Sequence, residues 1–360
     1  MKTPRENLMR TLRREGYDTV PIDLGFCPSQ RETFKKETGC SDEWYYRKYF
    51  NVPVRMNQVR LAPTHIDGRG LFKREVLPES AQFDPWGCAF SQGSESAKHM
   101  HRLHHPLKGD DVTLAEIKAH PFPVINETAA VSFADWVRHI HAEGLASMAQ
   151  HSQTIWETAW QIRGMEDLMM DMMGEDERAE VVLDRVTAIS LARMEIAAKA
   201  GCDIVWLGDD IGMQSQAMMS VELWETWLKP RLKKVIDAGK KNNPNLLVAY
   251  HSCGYVLPFL DGLIDAGIDI LNPIQPESMS FKEVYDQTGD RLSYWGTIGT
   301  QTTMPFGTPA DVRKAVFENL DMCGSRGGLV VAPTHVVEPE VPWENVLELV
   351  CAAADYTKQK

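Results

Sequence analysis

A (β/α)8 barrel, the TIM-barrel class, is the fold this sequence predicts, and three observations predict it. From about residue 125 onward, apolar runs of strand length alternate with amphipathic stretches of helix length. The connections between them are short, as parallel strands joined by helical crossovers require. No dinucleotide-type glycine-rich turn interrupts the series, which favours a closed barrel over an open doubly wound sheet. All 360 residues are read as one domain, irregular over 1–124 and built of regular βα units over 125–360. The irregular part is expected to be a barrel opening with an extension or insertion that caps the mouth.

In chain order, residues 7–16 read as a helix and Val20-Pro21-Ile22-Asp23-Leu24 as a short strand. Short strands are expected around 74–77 and 81–86. A strand fits 145–150. A helix fits 176–200, with Val182, Val186, Ile189 and Ile196 on one face at helical spacing and Gly201 as its stop. Strands over 203–207 and 246–250 flank a helix over 221–240. The second of them ends at His251-Ser252-Cys253-Gly254, and a helix over 255–266 follows, stopped by Gly267. Strands are expected at 268–271, 292–295 and 329–332. Before the last, Thr308-Pro309-Ala310-Asp311 opens a helix with a cap, a proline at its first position and an acidic first turn. That helix ends with Cys323 and Gly324.

Hydrophobic residues make up 43% and charged residues 24%, enough apolar surface for a large core. The net charge is −12 with no Lys/Arg-rich run, which excludes a nucleic-acid footprint. No stretch approaches the ~20 apolar residues that span a bilayer. The charged opening Lys2-Thr3-Pro4-Arg5-Glu6-Asn7 does not read as a signal peptide. Seven cysteines without regular spacing argue against a disulfide framework, so a cytoplasmic location is expected. A homodimer is compatible with the sequence.

In barrels of this class the chemistry sits just beyond the carboxyl ends of the strands. Sorting polar residues by that rule leaves His151, Asp209, Asp210, His251, Cys253, Gln275, Glu277, Gln301 and His335, all expected around one mouth. Of the adjacent pair Asp209 and Asp210, one is expected to face the cavity as an acid or base while the other caps or pairs. Trp156, Tyr250 and Trp295 are candidate aromatic walls or core packing. His251-x-Cys253 offers an imidazole and a thiol from one strand end, a donor pair that suits zinc, with His335 as a third ligand and Glu277 as a fourth. The alternative is that Cys253 packs and the histidines hydrogen-bond substrate. The helix after Cys253 would aim its positive end at the mouth. His99, His101, His104 and His105 read as a polar surface segment. The methionines at 169, 170, 172 and 173 read as core packing.

These motifs resemble the uroporphyrinogen decarboxylase superfamily, which includes the cobalamin- and coenzyme M-dependent methyltransferases. The resemblance rests on Gly164-Met165-Glu166-Asp167-Leu168, Gly208-Asp209-Asp210-Ile211-Gly212 with Ser220, His251-Ser252-Cys253-Gly254, Val331-Ala332-Pro333-Thr334-His335, and Pro342-Trp343-Glu344-Asn345-Val346. It covers roughly residues 125–356. The true decarboxylases carry an N-terminal arginine-rich signature that grips substrate carboxylates. The matching region here reads Val20-Pro21-Ile22-Asp23-Leu24-Gly25-Phe26-Cys27-Pro28, without arginines. A substrate with many carboxylates would lack its counter-charges.

The chain is nearer the methyltransferase branch, in which a His-x-Cys…Cys zinc site activates the methyl acceptor or donor. His251 and Cys253 match the first two ligands. His335 stands at the third, and Gln275 stands where an acidic ligand is expected, with Glu277 nearby. The resemblance implies methyl transfer between a small methylated compound and a corrinoid protein, assisted by zinc, with Asp209, Asp210 or His151 in acid–base roles and Gln275, Gln301, Tyr250 and Trp156 against the substrate. Two other readings stay open: a metal-independent decarboxylase of a small carboxylic acid, and a non-enzymatic corrinoid or tetrapyrrole binder.

Overall fold

The computed structural model describes residues 2–42, 44–64, 67–92 and 101–359. An all-parallel sheet runs through it. Its seven strands are β1 (Val54–Asn57), β2 (Ala146–Ser152), β3 (Ile204–Gly208), β4 (Leu247–His251), β5 (Ile270–Asn272), β6 (Ser293–Trp295) and β7 (Leu329–Val330), neighbours in that order. The strands are apolar on both faces, as a parallel sheet covered by helices must be; Ile204, Val205, Leu207, Val248, Ala249, Ile270 and Leu271 are all buried.

Helices cross between successive strands. The longest, Glu177–Lys199, is capped by Asp176, whose side chain accepts from the Arg178 N–H, and it buries Val182 and Val186. The helix Pro309–Cys323 starts with a Thr308–Asp311 capping box and ends at Gly324. The expected helix over 221–240 is two helices, Val221–Trp227 and Lys229–Asn242, divided at Leu228 just before Pro230.

At the far edge, residues 21–27 lie beside β7. Ile22 pairs in parallel with Val331 and Phe26 with Val337. The Asp23 N–H donates to the Val331 carbonyl at 3.0 Å, and the Val337 N–H to the Gly25 carbonyl at 2.7 Å. Met56 of β1 and Leu24 of this far edge line one cavity, so the sheet curls until its two edges face each other.

The N-terminal third departs most from expectation. Its first helix is Pro4–Leu12, set by a Thr3–Glu6 capping box. Strand β1 was not legible in the sequence, because Val54-Arg55-Met56-Asn57 is short and half-buried. The expected strand at 74–77 is loop, and that at 81–86 shrinks to Gln82–Phe83, paired with Ala89–Gln92, which pairs in turn with His101–His104. His101–His104 is therefore strand as well as histidine cluster. His104 bonds Glu75 and Ser91 at 2.7 and 2.8 Å, His105 bonds the Gln161 carbonyl at 2.8 Å, and His99 lies outside the described residues. Of the dense methionines, Met172 is core while Met170 and Met173 are exposed. Among the described residues no helix is long and apolar enough to cross a membrane.

Candidate active site at the strand ends

Register builds the site. Ser152 lies opposite Gly208, Gly208 opposite His251, and His251 opposite Asn272, so these four form one row across β2 to β5. Ser152, His251 and Asn272 line a cavity of about 360 Å³, with Trp206 and Trp295 deeper in its wall. Gly208 is required in that row: a Cβ there would sit 2.8 Å from the His251 Cβ. The next row down, His151, Leu207, Tyr250 and Leu271, has the opposite parity and faces the helices.

The His251 ring is oriented by a chain of bonds. Asn272 Nδ2 donates to the Trp295 carbonyl at 2.6 Å, which leaves Asn272 Oδ1 as an acceptor. His251 Nδ1 lies 2.6 Å from that oxygen and so carries the proton, leaving the Nε2 lone pair free. Nε2 stands 3.6 Å from Cys253 Sγ and 3.7 Å from Asp210 Oδ1. The ligand atoms of Asp210, His251 and Cys253 all lie within 4.8 Å of one another, and no other histidine, cysteine or acid joins them among the described residues.

The two loops that carry these groups are locked back to back. The Cys253 N–H donates to Asp210 Oδ1 at 2.8 Å, and the Tyr255 N–H to the Met213 carbonyl at 2.8 Å. Gly254 has φ +81°, and a Cβ on it would meet the Met213 carbonyl oxygen at 2.5 Å. The expected helix N-terminus behind Cys253 is absent: a 3-10 turn over Leu257–Phe259 precedes the helix Leu260–Ala266, and the Gly254 and Tyr255 N–H groups go to Gln275 and to the Met213 carbonyl.

The adjacent aspartates divide. Asp210 lines the cavity. Asp209 is buried and turns away to accept the Ile155 and Glu157 N–H groups at 2.9–3.1 Å, fixing the start of the helix Trp156–Arg163. Burial pushes its pKa up to about 7, against the pull of those N–H donors. This anchorage places Glu157, in the first helical turn, on the cavity wall. Burial first, then the charges of Asp209 and Asp210, raise Glu157 to about 8, so it is a neutral acid at pH 7. Burial, Asp210 and Glu157 push the Cys253 thiol up to about 12.

The remaining sequence candidates fall in different places. His335 is exposed on the rim of the same cavity, outside the three-ligand group. Partial desolvation of the ring, then the neighbouring His251, lower its pKa. Glu277 also lies outside that group: its Oε1 accepts from the Gln301 N–H at 3.1 Å and the Thr302 hydroxyl at 2.8 Å. Gln275 accepts from the Gly254 N–H at 2.5 Å and supports the loop, while the Gln301 side chain bonds Gln214. His151, Tyr250 and Trp156 are buried and do not line the cavity; the Tyr250 hydroxyl donates to the Asp209 carbonyl at 3.3 Å. Sequence reasoning missed Asn272, which the strand-end rule would have found. It also missed Trp206 and Glu157; the latter carries no local signal, since it reaches the mouth through Asp209. A larger cavity of about 610 Å³, near Arg5, Asp203 and Asn245, opens at the opposite ends of the strands.

A model of the family described as uroporphyrinogen decarboxylase (URO-D) matches residues 113–356. The chain belongs to the URO-D family. Among solved structures, a methyltransferase from Methanosarcina mazei aligns with a TM-score of 0.68 at 18% identity, over 99% of both chains. At that identity the likeness shows a shared fold alone. A GH27 β-L-arabinopyranosidase from Geobacillus stearothermophilus (TM-score 0.40, 11% identity, 94% of this chain and 76% of that one) aligns more loosely. So does xylanase 10B from Thermotoga maritima (0.40, 8%, 66% and 82%). Neither carries any argument about this URO-D protein. No curated protein sequence matches it.

Proposed function

We propose that this URO-D family protein is a zinc-dependent, cytoplasmic methyltransferase that moves a methyl group between a small methylated compound and a corrinoid held by a partner protein. The observation that carries the reading is the Asp210–His251–Cys253 group, with one nitrogen, one sulfur and one carboxylate within 4.8 Å of one another, beside the cavity that Asp210 and His251 line. That donor set suits a borderline-soft ion, and three protein ligands leave a position for substrate. The fit is also electrostatic. Glu157, Asp209 and Asp210 crowd each other and the Cys253 thiol, and a divalent cation would relieve that repulsion. The Methanosarcina protein's name as a methyltransferase supports the reaction class, and the corrinoid partner rests on the resemblance to the cobalamin-dependent methyltransferase branch.

Zinc bound there would act as a Lewis acid on the atom that gives or takes the methyl group. The chain's own residues prepare that event. Asn272 holds His251 with Nε2 toward Cys253. Trp206 and Trp295 pack edge to face at 5.5 Å and exclude water from the deep wall. Burial, the largest cause of the raised Glu157 pKa, would persist beside a bound cation and favour a carboxyl proton that Glu157 can offer to a heteroatom of the substrate.

Metal analysis tests the proposal. The purified protein should carry near-stoichiometric zinc, lost together with methyl transfer in Cys253→Ala and His251→Ala, while Cys323→Ala retains both. Full activity of Cys253→Ala in metal-free protein would sink the zinc assignment. The neutral carboxyl of Glu157 favours one second reading, a metal-independent decarboxylase in which Glu157 protonates the carbanion left by CO₂. Carbon dioxide release from a small carboxylic acid by chelator-treated protein would support it.

A further inference from the structure

A second cavity, of about 390 Å³, adjoins the first and shares Gln150, Ser152 and Gln153 with it. Its remaining wall comes from the segment after β1, including Arg60, and from Trp86, Thr158 and Arg193. No acidic residue lines it among the described residues.

Arg193 is the unusual member. It belongs to the helix Glu177–Lys199, is 8% exposed, and reaches the wall of this side cavity. Among the described residues its guanidinium makes one hydrogen bond, from Nη2 to the Gln150 carbonyl at 3.2 Å, and its Nε has no acceptor. Among the described residues no ion pair reaches it, and no carboxylate offsets its desolvation. His151 beside it is 1% exposed, and among the described residues neither of its ring nitrogens has a partner. The other buried arginine, Arg163, shows the usual arrangement, with Asp171 at 2.9 Å and two carbonyls at 2.8 Å. A buried guanidinium without a counter-ion is costly, and its planar donor edge matches a carboxylate.

We propose that Arg193 binds a carboxylate of the substrate, in a side pocket that continues the mouth containing Asp210, His251 and Glu157. The proposal deepens the functional reading by naming the substrate class, a small compound with one carboxylate remote from its reacting group. It does not depend on what the reacting group does. The shared residues Gln150, Ser152 and Gln153 join the two spaces, and Ser152 belongs to the strand-end row itself. Gln153, at φ +61°, holds a backbone conformation uncommon for a side chain other than glycine, in the wall common to both cavities.

Binding of propionate and of its neutral isostere propionamide tests the proposal without turnover. Both are titrated by NMR into the full-length protein, after chelator treatment so that no metal competes for the carboxylate. Propionate should bind about tenfold more tightly or better, the size of one charge-assisted buried contact. Arg193→Met should abolish the preference and Arg193→Lys should keep part of it, so the lysine variant decides should the methionine variant not fold. His251→Ala should keep the full preference, which separates this result from any failure of the zinc reading. Equal binding of the two probes to the wild type, a preference surviving in folded Arg193→Met, or tighter binding of sulfate than of propionate would each overturn the assignment.

Discussion

Asn272 Oδ1 lies 2.6 Å from His251 Nδ1, and this one contact decides which imidazole nitrogen faces the cavity. The Asn272 amide cannot turn over, because its Nδ2 is already bonded to the Trp295 carbonyl. Its removal frees the ring to rotate and to change tautomer. Asn272→Ala is expected to weaken zinc binding by about 10- to 100-fold, the usual loss when the partner behind a metal-bound histidine is removed. Competition against a zinc chelator measures it; unchanged affinity would show that His251 needs no such support.

Glu157 touches the reaction, on the proposed mechanism, through a proton. Glu157→Gln keeps the shape and the hydrogen-bonding reach but lacks the acidic proton. Turnover should fall by about 10²-fold or more, the range for a lost general acid, with zinc content unchanged. A Gln variant as active as the wild type would leave Glu157 without a chemical role.

Gly254 sits where two loops meet with no room for a side chain. Gly254→Ala adds a methyl group 2.5 Å from the Met213 carbonyl oxygen on a backbone with φ +81°. Destabilisation of about 1–3 kcal/mol is expected in denaturant unfolding. Zinc binding should weaken in the same variant, since the strain separates the Asp210 and Cys253 loops. Gly39→Ala is a control for positive φ alone, at φ +72° with nothing within 4 Å of the added atom.

Asp84 supplies a pH dependence that does not come from the mouth residues. Burial raises its pKa from 3.8 to about 6, although its carboxylate accepts from the Cys88 N–H at 2.9 Å. The folded protein therefore holds this proton more tightly than the unfolded chain. Its contribution to stability is full below about pH 4 and is lost as pH rises through about 6. Asp84→Asn cannot titrate, so the difference in Tm between Asp84→Asn and the wild type should widen in favour of Asn between about pH 4 and 6. A difference constant with pH would contradict the raised pKa.

The regular units were legible because their signals are local: the Thr308 cap, the Asp176 cap and the apolar runs of β3 and β4 each lie within a few residues. The mouth was legible at His251, Cys253 and Asp210 because they follow long strands closely. It was misread at His151 and Tyr250 by one residue of register, since neither strand end betrays its parity in sequence. In β2 the inward residues are Gln150 and Ser152, and in β4 His251 is inward and Tyr250 outward. Trp156 was misread for a related reason, because the start of its helix is set by Asp209, more than fifty residues away. In the N-terminal third the short strand read at 20–24 does pair, Ile22 with Val331, whereas β1 was obscure because it gains its strand character only by pairing with β2.

The pairing of Ile22 with Val331 joins residues more than three hundred positions apart. Such a contact gains nothing until nearly the whole chain is available, while the entropy of closing so long a loop opposes it throughout. A chain emerging from the ribosome must therefore carry its first strand segment unpaired while β1 to β6 accumulate. During that interval the exposed edges invite aggregation, and chaperone demand should concentrate there. Truncations that remove β7 and the segment after it should accordingly be recovered as insoluble protein, however well their earlier units are formed.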